Sequence, residues 1–514
     1  MALAIQYPVP VYPVSVYRTS RRSSPTLVYS LLHALCLLLV CSACRDEPRR
    51  PNVLLVTLDT TRADFLSCYG ARPGATPVLD ALAERGALFR DAYVSAAVTP
   101  VSHATILTGR DNPEHGLRVL SGLSGYKLPS TVPTLATTLQ DAGWHTAAIH
   151  SAFPVSGFFG FARGFERFES FDGVMAPSRA GTISWDLQTL QRRSDETTNL
   201  VVDELSRDER PFFLWLHYWD PHDPVKLPPA EALPANLPRD ANGLLLPSRE
   251  LYGAEVSYVD QQFGRVLQRL EERGELDNTI VVVVADHGEG LGDHGWEYHR
   301  ILYQEQVHTP LIIAGPGVPK SVVEATVRSC DIAPTIWDLV QVATPEGGSG
   351  RSLLGLMKGA VEAPRAAYMD QINGYDLNAK MVEARPQDAF VYGVVHDGWK
   401  LLWRPHMPQA SELFHLRVDP REQTNLYAQE TERVAALQKL LAERGGFVLA
   451  PFPPESGADS ASIRAALDKL GYAGGASAYL DSRWGWFCPS HPQLRSDELS
   501  PCGRCGAPPL VIAR

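Results

Sequence analysis

The chain has 514 residues, of which 47 are lysine or arginine and 58 aspartate or glutamate, a formal net charge of −11. A general nucleic-acid binder needs a basic face to neutralise phosphates, so this balance argues against that class while allowing a small local cationic site. Apolar residues make up 45% and charged residues 20%, which is globular and not disordered, and eight cysteines over this length are too few for a disulfide scaffold.

Arg18, Arg21 and Arg22 precede an apolar run from Leu27 to Cys41. At about 15 residues the run is short for a membrane span and right for the hydrophobic part of an export signal. Val40-Cys41-Ser42-Ala43-Cys44 resembles a bacterial lipoprotein signal, in which Cys44 becomes the lipidated mature N-terminus; an ordinary cleaved signal is the alternative. Residues 1–44 are thus expected to be an export segment of a periplasmic or membrane-anchored protein, with Arg45 to Pro51 as a tether.

Val53 to Leu58 is a continuous apolar run of strand length, which suggests a strand buried on both faces of a parallel sheet. Similar runs are Ala147 to Ile149, Phe212 to Leu216, Thr279 to Ala285 and Leu311 to Ile313. Between them, helical spacing is found in Pro77 to Arg85 (Thr76 as N-cap candidate), Thr131 to Ala142, Arg193 to Leu205 and Val256 to Arg273. The alternation predicts an α/β fold, a mostly parallel central sheet sandwiched by helices, over residues 51–345. Ligands of such sheets bind at the carboxyl ends of strands. After the Gly-rich stretch near Gly347 the pattern changes to strand-like Ala389 to Val395 and Trp399 to Trp403, then a helix from Glu430 to Arg444. This predicts a smaller α+β subdomain at 346–446, a linker at 447–480 and a short Cys/His module at 481–510.

Asp and His gather just after the predicted strands: Asp59 after the first, His217, Asp220 and His222 at the third, and Asp286-His287-Gly288 at the fourth. Carboxylates with imidazoles at several strand ends are what a hard or borderline divalent cation needs. Thr99-Pro100-Val101-Ser102-His103 puts hydroxyls before an apolar helical turn; a helix N-terminus favours an anion or alkoxide there, and simple capping is the alternative.

These segments resemble the sulfatase family of the alkaline phosphatase superfamily. Pro51 to Asp64 resembles its opening strand and metal loop, and Thr99 to Gly109 its nucleophile signature. His217-Tyr218-Trp219-Asp220-Pro221-His222 resembles its substrate-histidine block, and Ala285 to Glu289 its second metal loop. Tyr303 to Gln306 with Pro310 to Ile313, and Glu412 to Leu416 with Asp419-Pro420, resemble the segments that follow. The resemblance runs from about Pro51 to Gly475 and implies an ester hydrolase with a divalent metal (calcium, manganese or zinc) at the active site.

The departures from the family pattern bear on mechanism. Typical members oxidise a Cys or Ser to formylglycine, whereas Thr99 is a secondary alcohol whose oxidation gives a ketone. His103 replaces the signature arginine, Thr60 replaces the second acid of the first metal loop, and His287 stands where many members have Asn. In phosphoryl-transfer relatives with a Thr nucleophile, a similar set is used, which implies metal ligation by Asp59, Thr99, Asp286 and His287 and attack by Thr99. His222 is then expected to hold a substrate oxygen or act as acid, His103 to contact the transferred group, and His299 to contact the anion. Arg62, Asp64 and His217 are expected to orient the site, and Arg118 is a further candidate for the anion.

The expected substrate is a small-molecule, glycan or lipid-head-group anionic ester of sulfate or phosphate type. The alternatives are a phosphodiesterase or phosphotransferase acting on cell-envelope substrates, a degenerate metal-binding relative, or a metal-handling lipoprotein. No nucleic-acid partner is expected.

At the end of the chain, Cys488-x2-His491 and Cys502-x2-Cys505 have the spacing of a tetrahedral structural zinc site, with disulfides as the alternative. The segment also resembles a small heavy-metal-binding module, although Ser490 and Ala507 stand where that module has Met.

Overall fold

A computed structural model describes residues 49–120, 127–169, 191–208, 210–222, 226–374 and 379–445, single residues near the start, and the backbone of three short strands near the end. The chain divides into Met1–Arg49 and Arg50–Arg514. The expected export segment with Cys44, and the expected linker, lie outside the described residues apart from single positions. Among the described residues, no helix is long and apolar enough to cross a membrane.

In chain order the first strands are β1 (Asn52–Leu58), β2 (Ala87–Phe89), β3 (Ala92–Tyr93), β4 (His145–His150), β5 (Arg167–Glu169), β6 (Phe212–Tyr218), β7 (Thr279–Ala285), β8 (Leu311–Ala314), β9 (Ser321–Val323) and β10 (Val327–Arg328). Eight of them form one sheet in the order β5-β4-β6-β1-β7-β8-β2-β9, while β3 and β10 pair separately. The run from β5 to β7 is parallel; β8 is antiparallel to both β7 and β2.

Strand periodicity explains the two cores. Val53, Leu55, Phe213, Trp215, Ile280 and Val282 form one face of the sheet, packed with residues of helices α2 (Thr99–Thr108), α3 (Leu135–Asp141) and α6 (Ile332–Leu339). Leu54, Val56, Leu214, Leu216, Val281 and Val283 form the other, packed with α1 (Pro77–Arg85), α4 (Ser194–Glu204) and α5 (Arg249–Glu272). Neither face meets water, so these strands read as unbroken apolar runs.

Two helix starts and one cap differ from expectation: α3 begins at Leu135, after its Thr134 cap, and not at Thr131. Helix α5 begins at Arg249, well before Val256, because the Ser248 hydroxyl accepts the Leu251 N–H and starts the helix. The Thr76 hydroxyl does not cap α1; it accepts the Ser67 N–H, and the Val78 and Leu79 N–H groups are met by the Asp260 carboxylate of α5.

The subdomain is an antiparallel sheet of β11 (Ala367–Gln371), β12 (Val391–His396), β13 (Trp399–Trp403) and β14 (Glu412–His415), in that order. One face packs Val434, Leu437 and Leu441 of α7 (Thr431–Arg444). The other packs Met369, Val395, Leu402 and Phe414 against Tyr93, Ile301, Tyr303 and Val307 of the α/β unit. At this seam the subdomain's own Lys400 and Glu422 form a buried ion pair, Nζ to Oε1 at 2.7 Å, and both reach across to Gln304, Lys400 donating to its Oε1 at 3.3 Å and Glu422 Oε2 accepting its N–H at 2.7 Å. In the tail, β15 (Trp484–Cys488) pairs antiparallel with β16 (His491–Ser496) and β17 (Leu510–Ala513), with Cys488 and His491 opposite one another. Cys502 and Cys505 lie outside the described residues.

We predict that Glu422→Gln, which leaves the Lys400 ammonium buried without its counter-charge, costs about 3–5 kcal/mol. Urea denaturation checks it; a loss well under 1 kcal/mol would show that the pair does not hold the seam.

Candidate active site

Strands β1 and β7 lie side by side with Leu58 opposite Ala285, so Asp59 and Asp286 leave the sheet as neighbours. The Asp59 N–H continues the ladder to the Tyr218 carbonyl at 2.9 Å. Both carboxylates and the His287 ring are 0% exposed. Burial pushes both carboxyls well above the usual range, and the charge of Asp286 pushes Asp59 further.

Each carboxylate has one oxygen held and one bare. The His217 ring meets Asp59 Oδ2 with Nε2 at 3.1 Å, while Oδ1 accepts no hydrogen bond among the described residues. Asp286 Oδ1 accepts the N–H groups of Thr60 (3.1 Å) and His287 (2.8 Å), while Oδ2 accepts none. His287 donates Nδ1–H to the Gly288 carbonyl at 3.0 Å, since a carbonyl can only accept. Its Nε2 lone pair therefore faces inward, 3.3 Å from Thr99 Oγ1 and 3.5 Å from Asp286 Oδ2.

Asp59, Asp286 and His287 thus bring ligand atoms within 4.8 Å of one another. They are acceptors facing acceptors, and a divalent cation is the complement that satisfies them. The donor set fits one.

The loops are held by specific contacts. Thr60 adopts φ +47°, costly for a β-branched residue, and this aims its N–H at Asp286. The Tyr252 hydroxyl donates to the Thr60 carbonyl at 2.6 Å and accepts the Arg62 N–H at 2.9 Å. Arg62 pairs with Asp64 and Asp293, an orienting role like that expected for it. A Cβ at Gly288 would stand 2.0 Å from the Glu305 carbonyl oxygen, so only glycine lets the second metal loop dock on that segment. The Gly288 N–H bonds the Gln306 carbonyl at 2.8 Å.

Thr99 is the first residue of α2, nearly buried, and its hydroxyl caps nothing. Ser102 anchors the helix by donating to the Asp286 carbonyl at 2.6 Å. His103, one turn on, is wholly buried against Trp215 and His217, with Nδ1–H on the Thr99 carbonyl at 2.8 Å. Its observed contacts are with the Thr99 backbone and, at 3.5 Å, with Asp286 Oδ2.

His299 stacks on His287 at 4.8 Å, and His222 lies 5.0 Å from His299, so these expected residues do converge with the metal set. Trp219 stacks on His222 at 3.8 Å. Glu289, named only as part of a motif, approaches His299 Nδ1 at 3.4 Å; burial pushes its carboxyl up to about 8.

Burial holds His103 near a pKa of about 3 and pushes His217, His222 and His287 well below the ordinary value, so these rings are neutral and able to ligate or donate. Arg118 pairs with Asp370 of the subdomain at 3.1 Å. Asp220 accepts the N–H and hydroxyl of Ser194 at the start of α4. A charged groove of about 1310 Å³, lined by Arg62, Asp293, His294, Arg365 and Arg417 among others, includes none of the metal or histidine set.

The family described as Sulfatase matches residues 51–342, more than half of the chain, and the family described as N-sulphoglucosamine sulphohydrolase, C-terminal, matches 292–444. An arylsulfatase of Clostridium perfringens is 26% identical over 466 residues, covering 76% of this chain and 94% of the relative. A solved structure of a protein with its substrate D-glucosamine-2-N,6-O-disulfate shares the fold at TM-score 0.60 and 24% identity, covering 77% of this chain and 97% of that one. The phosphonate monoester hydrolase of Agrobacterium radiobacter does so at TM-score 0.60 and 23% identity, covering 77% and 95%.

An ion entering the site must displace the protons that burial holds on Asp59 and Asp286, so its affinity rises with pH and levels off once both are ionised. We predict that the Tm gain from saturating manganese grows between about pH 5 and about pH 8. Differential scanning calorimetry with and without the ion tests this; a gain that is flat or shrinks with pH contradicts it.

Proposed function

From the premise that this chain belongs to the sulfatase family, we propose that it hydrolyses sulfate or phosphate-type esters with Thr99 as nucleophile beside a divalent ion held by Asp59, Thr99, Asp286 and His287. The observation that carries the reading is the cluster of buried acceptors of Asp59, Asp286 and His287 beside the Thr99 hydroxyl. When bound, such an ion lowers the pKa of the hydroxyl and offsets the charge of the ester.

Thr99 Oγ1, its proton lost to solvent, bonds to phosphorus or sulfur as the bond to the leaving oxygen breaks. His222 and His299, the rings beyond His287, donate hydrogen bonds to the ester oxygens, and the anion between them favours their protonation for transfer to the leaving oxygen. Water then cleaves the Thr99 ester. His103 holds the Thr99 carbonyl and so the pose of the nucleophile.

A secondary alcohol cannot supply the formylglycine aldehyde, and a sulfated threonine lacks the elimination route of that group's hydrate. The chemistry of Thr99 therefore favours a phosphorus ester, while the named arylsulfatase relative favours a sulfate ester. The phosphonate monoester hydrolase neighbour shows that this fold also serves phosphorus substrates. The sequence pattern further supports export through residues 1–44, with Cys44 as a lipid anchor, and a structural zinc at Cys488, His491, Cys502 and Cys505. Radiolabelled lipid on Cys44 and loss of one zinc per chain in Cys502→Ser are the respective tests.

For the catalytic reading, purified protein is assayed on aryl sulfate, phosphate monoester, phosphodiester and phosphonate with each ion in turn. Thr99→Ala is expected to lower kcat by roughly 10³-fold or more on the preferred substrate. Turnover unchanged by that substitution would remove Thr99 from the mechanism.

A further inference from the structure

His217 lies on β6 opposite Thr57 of β1, on the face that carries Trp215, and is fully buried. Its neighbours are the rings of His103, at 5.0 Å, and Trp219, at 6.2 Å. The single polar group it meets among the described residues is Asp59, and its Nδ1 has no hydrogen-bond partner there. Once Asp59 is ionised to take an ion, its carboxylate can only accept, so His217 then carries its proton on Nε2 and gives it to Asp59 Oδ2.

That bond removes one oxygen of Asp59 from competition for an ion. The backbone does the same to Asp286, whose Oδ1 is taken by two N–H groups. What remains is Asp59 Oδ1, Asp286 Oδ2, His287 Nε2 and the Thr99 hydroxyl, each a single-atom donor.

We infer that His217 is a positioning residue that makes Asp59 a one-oxygen ligand and so biases the site toward a small ion. Zinc takes four ligands and readily accepts imidazole, and manganese is smaller than calcium and accepts one-oxygen carboxylates, whereas calcium takes six to eight oxygens and often both oxygens of a carboxylate. The inference rests on the metal site proposed above. It adds what sets the denticity of Asp59, a task that falls to a side chain outside the ligand set.

The test is direct metal binding by the full chain, stripped of metal and titrated with zinc, manganese and calcium, with the visible spectrum of the cobalt form as a second readout. His217→Gln keeps an amide N–H at the reach of Nε2; His217→Leu fills the space without a donor. The leucine variant is expected to bind zinc and manganese about 10- to 100-fold more weakly, with calcium affected less and an altered cobalt spectrum. The glutamine variant is expected to stay near the parent. Circular dichroism confirms that each variant is folded, and His217→Asn, whose amide falls short of Asp59, replaces the leucine variant should that one not fold.

Equal zinc affinity in parent and leucine variant overturns the inference, as does equal loss in folded glutamine and leucine variants, which would mean packing and not the donated proton. If the parent itself binds no ion, the metal site fails and the inference with it; that result is distinct from both of the others.

Discussion

Two carboxylates, each buried, stand side by side because two neighbouring parallel strands end at the same level of the sheet. In a low-dielectric interior like charges at this range cannot both ionise without a counter-charge. No lysine or arginine meets Asp59 or Asp286 in the described structure, and the nearest side chains are imidazoles and a hydroxyl. Other acidic clusters in the molecule do carry their cation: Glu422 has Lys400, Asp331 has Arg328 and Arg365, and Asp388 has Arg385 and Arg404. The contrast sets Asp59 and Asp286 apart from the carboxylates of the ion-pair networks.

Much of the surrounding structure serves to hold that unfavourable pair in place. Tyr252 braces the Thr60 turn, Gly288 lets the second loop settle on Glu305 and Gln306, and Ser102 ties helix α2 to the backbone of Asp286. The subdomain contributes from a distance, by packing on Tyr303 and by the buried ion pair at Gln304, next to that docking segment. Rigid placement costs stability here and is recovered in the bound state, as is usual where acceptors are assembled for a ligand.

The central strands were legible in the sequence because burial on both faces leaves an uninterrupted apolar signal, and the cluster of Asp59, Asp286 and His287 because these residues follow those strands directly. The three-residue strands Ala87–Phe89, Arg167–Glu169 and Ser321–Val323 were not, since three residues carry too little pattern to separate from a loop. Side-chain partners were hidden for a different reason. The carboxylate that accepts the first N–H groups of α1 comes from Asp260, and Arg118 answers Asp370, both far away along the chain. His217 was readable as an orienting group. Which oxygen it takes, and that Thr60 contributes its N–H in place of the missing carboxylate, depend on register and a left-handed turn that no local pattern announces.

The account stands or falls on whether an ion sits among these acceptors. A crystal of the manganese- or zinc-loaded protein, measured at the metal's absorption edge, locates it without reference to activity. The account predicts one anomalous peak bonded to Asp59 Oδ1, Asp286 Oδ2 and His287 Nε2, with Thr99 Oγ1 completing the protein ligands. No peak between the two carboxylates at saturating metal, or a peak bridging both oxygens of Asp59 with His217 turned away, would contradict it.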